Sequence, residues 1–265
     1  VYKNLAQPEP KDHFTVGIVD DVTFTSLPLE EEIFAGNEDS KECLFFGLGS
    51  DGTVGANKNS IKIIGDKTDL YAQGYFAYDS KKSGGVTRSH LRFSKHPIRS
   101  TYLVTKPNFV ACSVPAYMGK YDMISGLREG GTFLLNTIWD KDRVVETIPN
   151  EIKRELARKK AKFFIINATE LAKEVGLGNR TNTIMQSAFF YLTQVIPYEE
   201  AKDYMKDYAE KTYGRKGHDV VEKNWAAVDK GTEGLEEIPV DPSWADLPVN
   251  EEIIESHKPE FVKRI

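Results

Sequence analysis

The residues best suited to binding a ligand lie in a glycine-rich loop that follows a short apolar run. In the sequence FFGLGSDGTVGANK, Gly47, Gly49 and Gly52 match the pattern G-x-G-x-x-G. This pattern joins a strand to a helix and lets backbone N–H groups approach a pyrophosphate. A dinucleotide site also needs an acid about 20 residues further on to hold the ribose hydroxyls, and Asp79, 27 residues after Gly52, is the candidate. Other phosphate ligands, or a tight turn without a ligand, remain open alternatives.

A dense basic segment, YDSKKSGGVTRSHLRF, begins just before that acid. Lys81 and Lys82 lie in a predicted turn, where two cations suit a phosphate better than a free diol. In the strand that follows, which we expect to be exposed, alternation places Arg88, His90 and Arg92 on one face. In a chain of net charge -5, such a cluster indicates an anionic ligand or an acidic partner surface. A solvated strand face is the structural alternative.

The sequence offers little support for other site chemistry. Cys43 and Cys112, the two cysteines, both lie in apolar runs, which predicts reduced, packed thiols. Because the five histidines are scattered and iron–sulfur clusters need four cysteines, we expect no metal site in this chain. There is no Ser-His-Asp order, nucleophile elbow or H-E-x-x-H. We therefore assign no catalytic residue.

Composition narrows the possible partners. The 265 residues are 40% hydrophobic and 28% charged, with acids in excess, which argues against a disordered chain and against a nucleic-acid binder. The apolar runs are shorter than the roughly 20 residues that cross a bilayer, and no leader-like segment opens the chain. We expect a cytoplasmic protein that binds neither nucleic acid nor membrane.

Strand and helix patterns alternate along the chain and predict an α/β fold. A βαβ unit is expected first, with a strand, a helix whose Val54, Ile61 and Ile64 share a face, and a second strand. Its segments are 42–47, 53–65 and 69–79. Further strands are predicted at 86–93, 100–105, 108–114, 132–137 and 162–167, with a helix at 149–161 and only helices after residue 176. This order predicts a mixed or parallel central sheet with flanking helices.

The ends differ in composition from the middle. Residues 1–37 contain Pro8, Pro10 and Pro28 and predict an extended lead-in, whereas 38–235 form the predicted domain. Residues 236–265 are rich in acid and proline and predict a linker. The chain begins without methionine, the first being Met118. We expect a piece of a longer polypeptide.

The loop GLGSDGTVGANK and the segment YDSKKSGGVTRSHLR, at this spacing, resemble the third domain of pyruvate:ferredoxin (flavodoxin) oxidoreductases. This domain is equivalent to the gamma subunit of multi-subunit 2-oxoacid oxidoreductases. The final HKPEFVKRI is similar to the linker that enters their ferredoxin-like cluster domain. The resemblance implies a homodimeric parent that oxidises pyruvate with coenzyme A to acetyl-CoA and carbon dioxide. It implies thiamine pyrophosphate, Mg²⁺ and [4Fe-4S] clusters in that parent, and ferredoxin or flavodoxin as electron acceptor.

For this domain, the resemblance implies that it caps the thiamine cleft, contacts other domains of the same polypeptide and helps to bind coenzyme A. Alone it should hold no cofactor and be inactive. Coenzyme A carries a pyrophosphate and a 3′-phosphate, which need backbone donors and point charges. The candidate residues are the loop Gly47, Gly49, Ser50, Asp51, Gly52 and Thr53 for one phosphate, and Lys81, Lys82, Arg88 and Arg92 for another. An NAD(P)-binding Rossmann-type oxidoreductase domain and a purely structural inter-domain module are the alternatives.

Overall fold

The computed structural model describes residues 1–18, 22–28, 39–79 and 84–248. The chain divides into two compact units, Val1–Glu38 and Asp39–Ile265. The first unit contains a short helix, α1 (Tyr2–Leu5), and an isolated bridge between Val16 and Leu27. The Asn4 amide donates to the Lys11 carbonyl over 2.9 Å and accepts from the Lys11 amide over 3.1 Å. The described part of the predicted lead-in therefore has little regular structure.

The second unit is built on one mixed sheet of seven strands, in the order β2-β3-β1-β4-β5-β6-β7. The strands are β1 (Lys41–Leu48), β2 (Tyr71–Tyr78), β3 (Val86–Ser94), β4 (Phe109–Cys112), β5 (Thr132–Asn136), β6 (Lys162–Ile166) and β7 (Glu236–Ile238). β1, β4, β5 and β6 run parallel, whereas β3 is antiparallel to both of its neighbours and β7 is antiparallel to β6. The predicted α/β fold with a mixed sheet is confirmed.

Helices cover the sheet in two layers. They are α2 (Thr53–Lys67), α3 (Lys141–Thr147), α4 (Asn150–Arg158), α5 (Ala168–Glu174), α6 (Asn182–Thr193), α7 (Tyr198–Tyr213) and α8 (His218–Lys230), with short 3₁₀ helices at Pro115–Tyr117, Gly214–Lys216 and Pro242–Asp246. The first layer contains α2 and α5 to α8, and the second contains α3 and α4. Each layer has its own apolar core against one face of the sheet.

The middle residues of the central strands are apolar because both of their faces are covered. In β1, Cys43 and Phe45 pack in the first layer, and Phe46 packs in the second. Phe189 of α6 lies 5.2 Å from Phe45 and 5.5 Å from Phe109 between ring centres. This aromatic cluster fixes α6 over the parallel strands, with its amino end near the end of β1.

Two predictions about secondary structure are wrong. Residues 100–105 form no strand, because the Ser100 and Tyr102 carbonyls accept hydrogen bonds from the side chains of Gln73 and Arg92 instead of from a neighbouring strand. The chain after residue 176, predicted to be wholly helical, also returns to the sheet, since β7 pairs with β6 and buries Ile238. Residues 236–238 of the predicted linker therefore extend the sheet.

The cysteine prediction is confirmed, since Cys43 and Cys112 are buried free thiols. Burial raises the pKa of Cys112 to about 12 and raises the pKa of Cys43 as well. Among the described residues, no helix has the length and apolarity that crossing a bilayer requires.

Candidate functional site

β1 and β4 are neighbours in the sheet, and the connections that follow them lead to opposite sides of this pair. β1 leads through α2 to β2 and β3 on one side, whereas β4 leads to β5 on the other. In open α/β sheets, such a switch point creates a crevice at the carboxyl ends of the two strands, where ligands bind. The predicted glycine loop follows β1 directly, so it lies at this crevice.

The side chain of Asp51 occupies the inside of the glycine loop. Its Oδ2 accepts hydrogen bonds from the Leu48 amide and the Thr53 hydroxyl, each over 2.8 Å, and its Oδ1 accepts from the Thr53 amide over 2.7 Å. Because Thr53 is the first residue of α2, the carboxylate satisfies a donor at the helix terminus that an anion would otherwise use. The donors on the inside of the loop are therefore satisfied by the Asp51 carboxylate and not by an external anion.

Other predicted phosphate donors also have partners within the chain. The Gly49 amide donates to the Gly85 carbonyl over 2.8 Å, and the Asp51 amide donates to the Leu48 carbonyl over 2.9 Å. The Gly85 contact holds the start of β3 against the loop. The contact of a phosphate with this loop stays a prediction, and in this conformation it would have to use donors other than these amides.

The glycines of the loop have packing reasons of their own. A Cβ on Gly47 would lie 2.7 Å from the Thr53 Cβ and 2.9 Å from the Thr87 hydroxyl, so only glycine allows this close approach of strand and helix. Gly52 has φ of 89° and Ser50 has φ of 80°. A positive φ at a non-glycine residue costs about 1–3 kcal/mol and is common at functional sites. The match to G-x-G-x-x-G therefore has a structural basis whether or not a phosphate binds.

Polar side chains join the carboxyl ends of three parallel strands. The Thr53 hydroxyl lies 3.2 Å from the hydroxyl of Ser113, which follows β4. Asn136, the last residue of β5, donates through Nδ2 to the Ser113 carbonyl over 3.1 Å and accepts through Oδ1 from the Ala168 amide over 3.1 Å. These bonds connect the glycine loop to the start of α5. Ser113 and Asn136 were not predicted as site residues, although each is a polar residue at the end of a predicted buried strand.

Arg88 lies beside the crevice in an aromatic setting. It pairs across the ladder with Phe46, near the end of β1, and its exposed guanidinium lies 5.7 Å from the Phe46 ring and 5.6 Å from the Tyr121 ring. The Tyr117 hydroxyl, 3.4 Å from the Gly47 carbonyl, lies at the same place. Burial, and next the neighbouring Tyr121, raise the pKa of Tyr117. Arg88 is thus a predicted site residue that the structure does bring to the loop.

Arg92 lies at the opposite end of β1 from the loop. It pairs across the ladder with Glu42, and its Nε donates to Glu42 over 2.9 Å while Nη1 donates to Gln73 and to the Tyr102 carbonyl. The pair is almost fully buried, with side-chain exposures of 4% and 1%. The binding of a phosphate by Arg92 stays a prediction, but the charge of its guanidinium is already balanced by Glu42.

The prediction that residues 86–93 form an exposed strand is wrong. The two faces alternate as expected, but β3 lies between β2 and β1, and His90 and Arg92 are 6% and 3% exposed. Burial, and less strongly the charges of Arg92 and Arg88, lower the pKa of His90 to about 4. Arg88 is therefore the one cation among these three that faces solvent.

Lys81 and Lys82 lie outside the described residues. The described residues before them end at Asp79, whose amide donates to the Val86 carbonyl over 3.1 Å, and resume at Gly84. Because β3 lies between β1 and β2, Asp79 ends a strand two places from the glycine loop. A dinucleotide fold places that acid on the strand beside the loop, so the topology argues against the NAD(P) alternative.

Comparison with solved structures shows what the fold is similar to. The fold is similar to that of pyruvate oxidoreductase subunit PORC from Thermotoga maritima, with a TM-score of 0.60 and 19% identity over 76% of this chain and 99% of that chain. It is also similar to a 2-oxoglutarate:ferredoxin oxidoreductase from Magnetococcus marinus, with a TM-score of 0.57 and 17% identity over 74% of this chain and 31% of that chain. The latter was solved with 2-oxoglutarate, coenzyme A and succinyl-CoA bound. This chain shares their fold.

Sequence comparison then gives the family. Residues 42–234 match the profile of Pyruvate ferredoxin/flavodoxin oxidoreductase, and the chain belongs to this family. It is 53% identical over 265 residues to a pyruvate:ferredoxin oxidoreductase from Moorella thermoacetica, a match that covers 100% of this chain and 23% of that protein. The chain thus spans less than a quarter of the length of this relative.

Proposed function

We propose that this chain is the gamma-type part of a pyruvate:ferredoxin (flavodoxin) oxidoreductase and that its switch-point crevice helps to bind coenzyme A. The parent would convert pyruvate and coenzyme A to acetyl-CoA and carbon dioxide, with ferredoxin or flavodoxin accepting the electrons. The observation that carries the proposal is the crevice after β1 and β4, where a polar loop meets the exposed guanidinium of Arg88. The coenzyme A bound in the Magnetococcus marinus relative of the same fold supports it.

In this proposal the cations, rather than the helix terminus, carry the phosphate binding. The Asp51 carboxylate already accepts from the first amide of α2, so a second anion there would be repelled. Arg88 can hold a phosphate by paired N–H donors while its plane stays on the Tyr121 ring. Lys81 and Lys82 lie within seven residues of Arg88 along the chain and complete the proposed set. The amides of Ser50 and Gly52 are the proposed backbone donors.

The cofactors belong to other parts of the parent in this proposal. Thiamine pyrophosphate with Mg²⁺ would supply the electron sink for decarboxylation, and [4Fe-4S] clusters would carry the electrons away. This chain would close one side of the thiamine cleft and position coenzyme A, so by itself it would not turn over pyruvate. We further propose that the parent is a homodimer and that this domain contacts other domains of the same polypeptide.

Isothermal titration tests the coenzyme A proposal directly. The chain, and in parallel the full-length parent, are titrated with coenzyme A, dephospho-coenzyme A and NADH at low and moderate salt. Saturable binding of coenzyme A that weakens without the 3′-phosphate and with added salt is expected. Saturable NADH binding in its place would overturn the proposal and favour the dehydrogenase alternative.

A purely structural module is the second candidate, and the Asp51 contacts favour it. A loop that satisfies its own donors needs no ligand to be stable. If coenzyme A gives no heat with the parent, and replacing Arg88 leaves the KM for coenzyme A unchanged, the structural module is the correct interpretation.

A further inference from the structure

A second concave site lies in the helical layer, between α2, α6 and α7. It is a groove of about 550 Å³, within the range of roughly 300–1,000 Å³ that is typical of small-molecule sites. Lys58 and Lys62 of α2 and Lys211 of α7 line it, and its lining within the described residues contains no carboxylate. In a chain with more acids than bases, such a surface attracts an anion.

The amino end of α6 adds to this positive potential, whereas the first amide of α2 already donates to Asp51. Gly52 and Gly55 at the start of α2, and Asn182 and Thr183 at the start of α6, line the groove. The side chain of Thr181, the residue before α6, makes no capping hydrogen bond to the first-turn amides of this helix. The first-turn amides of a helix carry partial positive charge and bind phosphate groups well. The lysines and the α6 terminus thus favour the same kind of ligand independently.

A buried donor next to the groove has no partner. Asn57 is 4% exposed, and its Nδ2 makes no hydrogen bond. It lines a narrow gap that shares Ala56, Asn182 and Gln186 with the groove. Buried polar groups in native proteins are nearly always satisfied, so a ligand oxygen, or a water bound with the ligand, would complete this site.

The aromatic lining of the groove indicates a ligand that carries a ring as well as phosphate groups. Tyr208 and Tyr213 of α7 line the groove, and the Lys211 ammonium lies 5.3 Å from the centre of the Tyr208 ring. The Tyr208 hydroxyl donates to Asp66 over 2.6 Å, which fixes the ring at the rim. Aromatic rings stack on nucleobases, and amide side chains such as Asn59 can bond to base edges.

We propose that this groove binds a phosphorylated nucleotide with at least two phosphate groups. Three lysines and the α6 terminus hold the phosphates, and the tyrosine-lined end takes the base. The groove shares Gly52 with the proposed crevice but takes its cations from α2 and α7, so the inference does not depend on phosphate binding by Arg88. A free nucleoside diphosphate and the adenosine diphosphate portion of coenzyme A share this chemistry.

The test is calorimetric titration of the chain with ADP, pyrophosphate and adenosine, in the wild type and in two double variants. Lys62→Glu with Lys211→Glu reverses two groove charges. Lys95→Glu with Lys173→Glu makes the same change of net charge at exposed positions outside the groove. We expect saturable ADP binding that weakens at least about tenfold in the groove variant and stays near the wild-type value in the control. Adenosine should bind more weakly than ADP.

Two results would overturn the proposal. One is the lack of saturable heat with ADP on the wild-type chain, and the other is an equal loss of affinity in both double variants, which indicates diffuse attraction only. Competition then identifies the source of the ligand. Displacement of ADP by coenzyme A assigns the groove to the nucleotide end of that molecule, and lack of displacement assigns it to a free nucleotide. Both of these outcomes support the site.

Discussion

Glu42 and Arg92 form a buried ion pair between directly opposed positions of β1 and β3, with Oε1 and Nε 2.9 Å apart. The second carboxylate oxygen lies 3.8 Å from an Arg128 nitrogen. Because Glu42 is 1% exposed, its charge depends on these two cations. The pair holds the antiparallel strand β3 in register with the parallel part of the sheet.

Replacing Arg92 with methionine should therefore destabilise the chain strongly. Removing one partner of a buried pair leaves an uncompensated charge and costs about 3–5 kcal/mol. Urea denaturation measures this loss. Lys160→Met, which removes the exposed partner of Glu129, is the control and should leave the midpoint unchanged. The double variant Glu42→Leu with Arg92→Met should recover part of the loss, and a double variant as unstable as Arg92→Met would contradict this account.

Gly47→Ala should destabilise the chain by about 1–3 kcal/mol, because the new methyl would overlap the Thr53 side chain. Gly65→Ala is the matched change, since Gly65 lies in α2 with nothing within 4 Å of its Cβ position. It should stabilise the chain by about 0.5–1 kcal/mol. Thermal unfolding of both variants gives the comparison, and an equal shift in the same direction would show that the approach of Gly47 to Thr53 is not tight.

Asp51→Ala should cost about 1–2 kcal/mol of stability, because it removes the acceptor for the Thr53 amide and hydroxyl and for the Leu48 amide. Asp140→Ala is a useful reference, since Asp140 caps α3 through one bond to the Arg143 amide. The loss for Asp51 should exceed the loss for Asp140. Chemical denaturation decides between them, and the reverse order would mean that the loop does not depend on Asp51.

Replacing Lys81 and Lys82 with alanine in the full-length parent should raise the KM for coenzyme A and leave kcat nearly unchanged, because only ground-state binding is lost. Arg88→Ala should act in the same direction. Steady-state kinetics with coenzyme A and with dephospho-coenzyme A measure both effects. Lys173→Ala, an exposed change on α5, is the control. An unchanged KM in the double lysine variant would remove these residues from the proposed site.

Stability should fall on acidification because of His90. Burial lowers its pKa in the folded chain to about 4, below the 6.5 of an unperturbed histidine, so the unfolded chain takes up the proton first. The neutral form therefore stabilises the fold above about pH 6.5, and up to about 3 kcal/mol is lost between pH 6.5 and 4. Denaturation at pH 7, 5.5 and 4.5 tests this, with His90→Gln expected to be less sensitive to pH. An identical pH dependence in the variant would contradict the assignment.

Sequence patterns predict the parallel half of the sheet well, because buried strands such as β4 and β5 are short apolar runs between turns. They do not predict that β3 enters between β1 and β2, since pairing partners lie far apart in sequence and periodicity carries no pairing information. The burial of Arg92 could not be foreseen for the same reason. Its partner Glu42 precedes it by 50 residues and lies within an apolar run.

The candidate site was likewise predicted only in part, because some of its contacts depend on the folded conformation. The glycine loop and Arg88 were predicted, and the ladder between β1 and β3 brings them together. That Asp51 fills the loop could not be predicted, because it depends on the left-handed conformation of Ser50 and Gly52, which turns the carboxylate toward the start of α2. The lysine-lined groove between α2 and α7 was not predicted either, since its cations come from two helices far apart in the sequence, with Lys62 and Lys211 separated by 149 residues.

The two edges of the sheet differ in a way that bears on how the isolated chain should behave in solution. β7 is three residues long and carries two glutamates, whereas β2 is eight residues long, with the sequence YAQGYFAY and neither a charge nor a proline. Short, charged edges discourage further pairing, and long, uncharged edges template it. Within the described part of the chain, β2 is therefore the edge whose composition favours pairing with an additional strand, and β7 the edge whose composition discourages it.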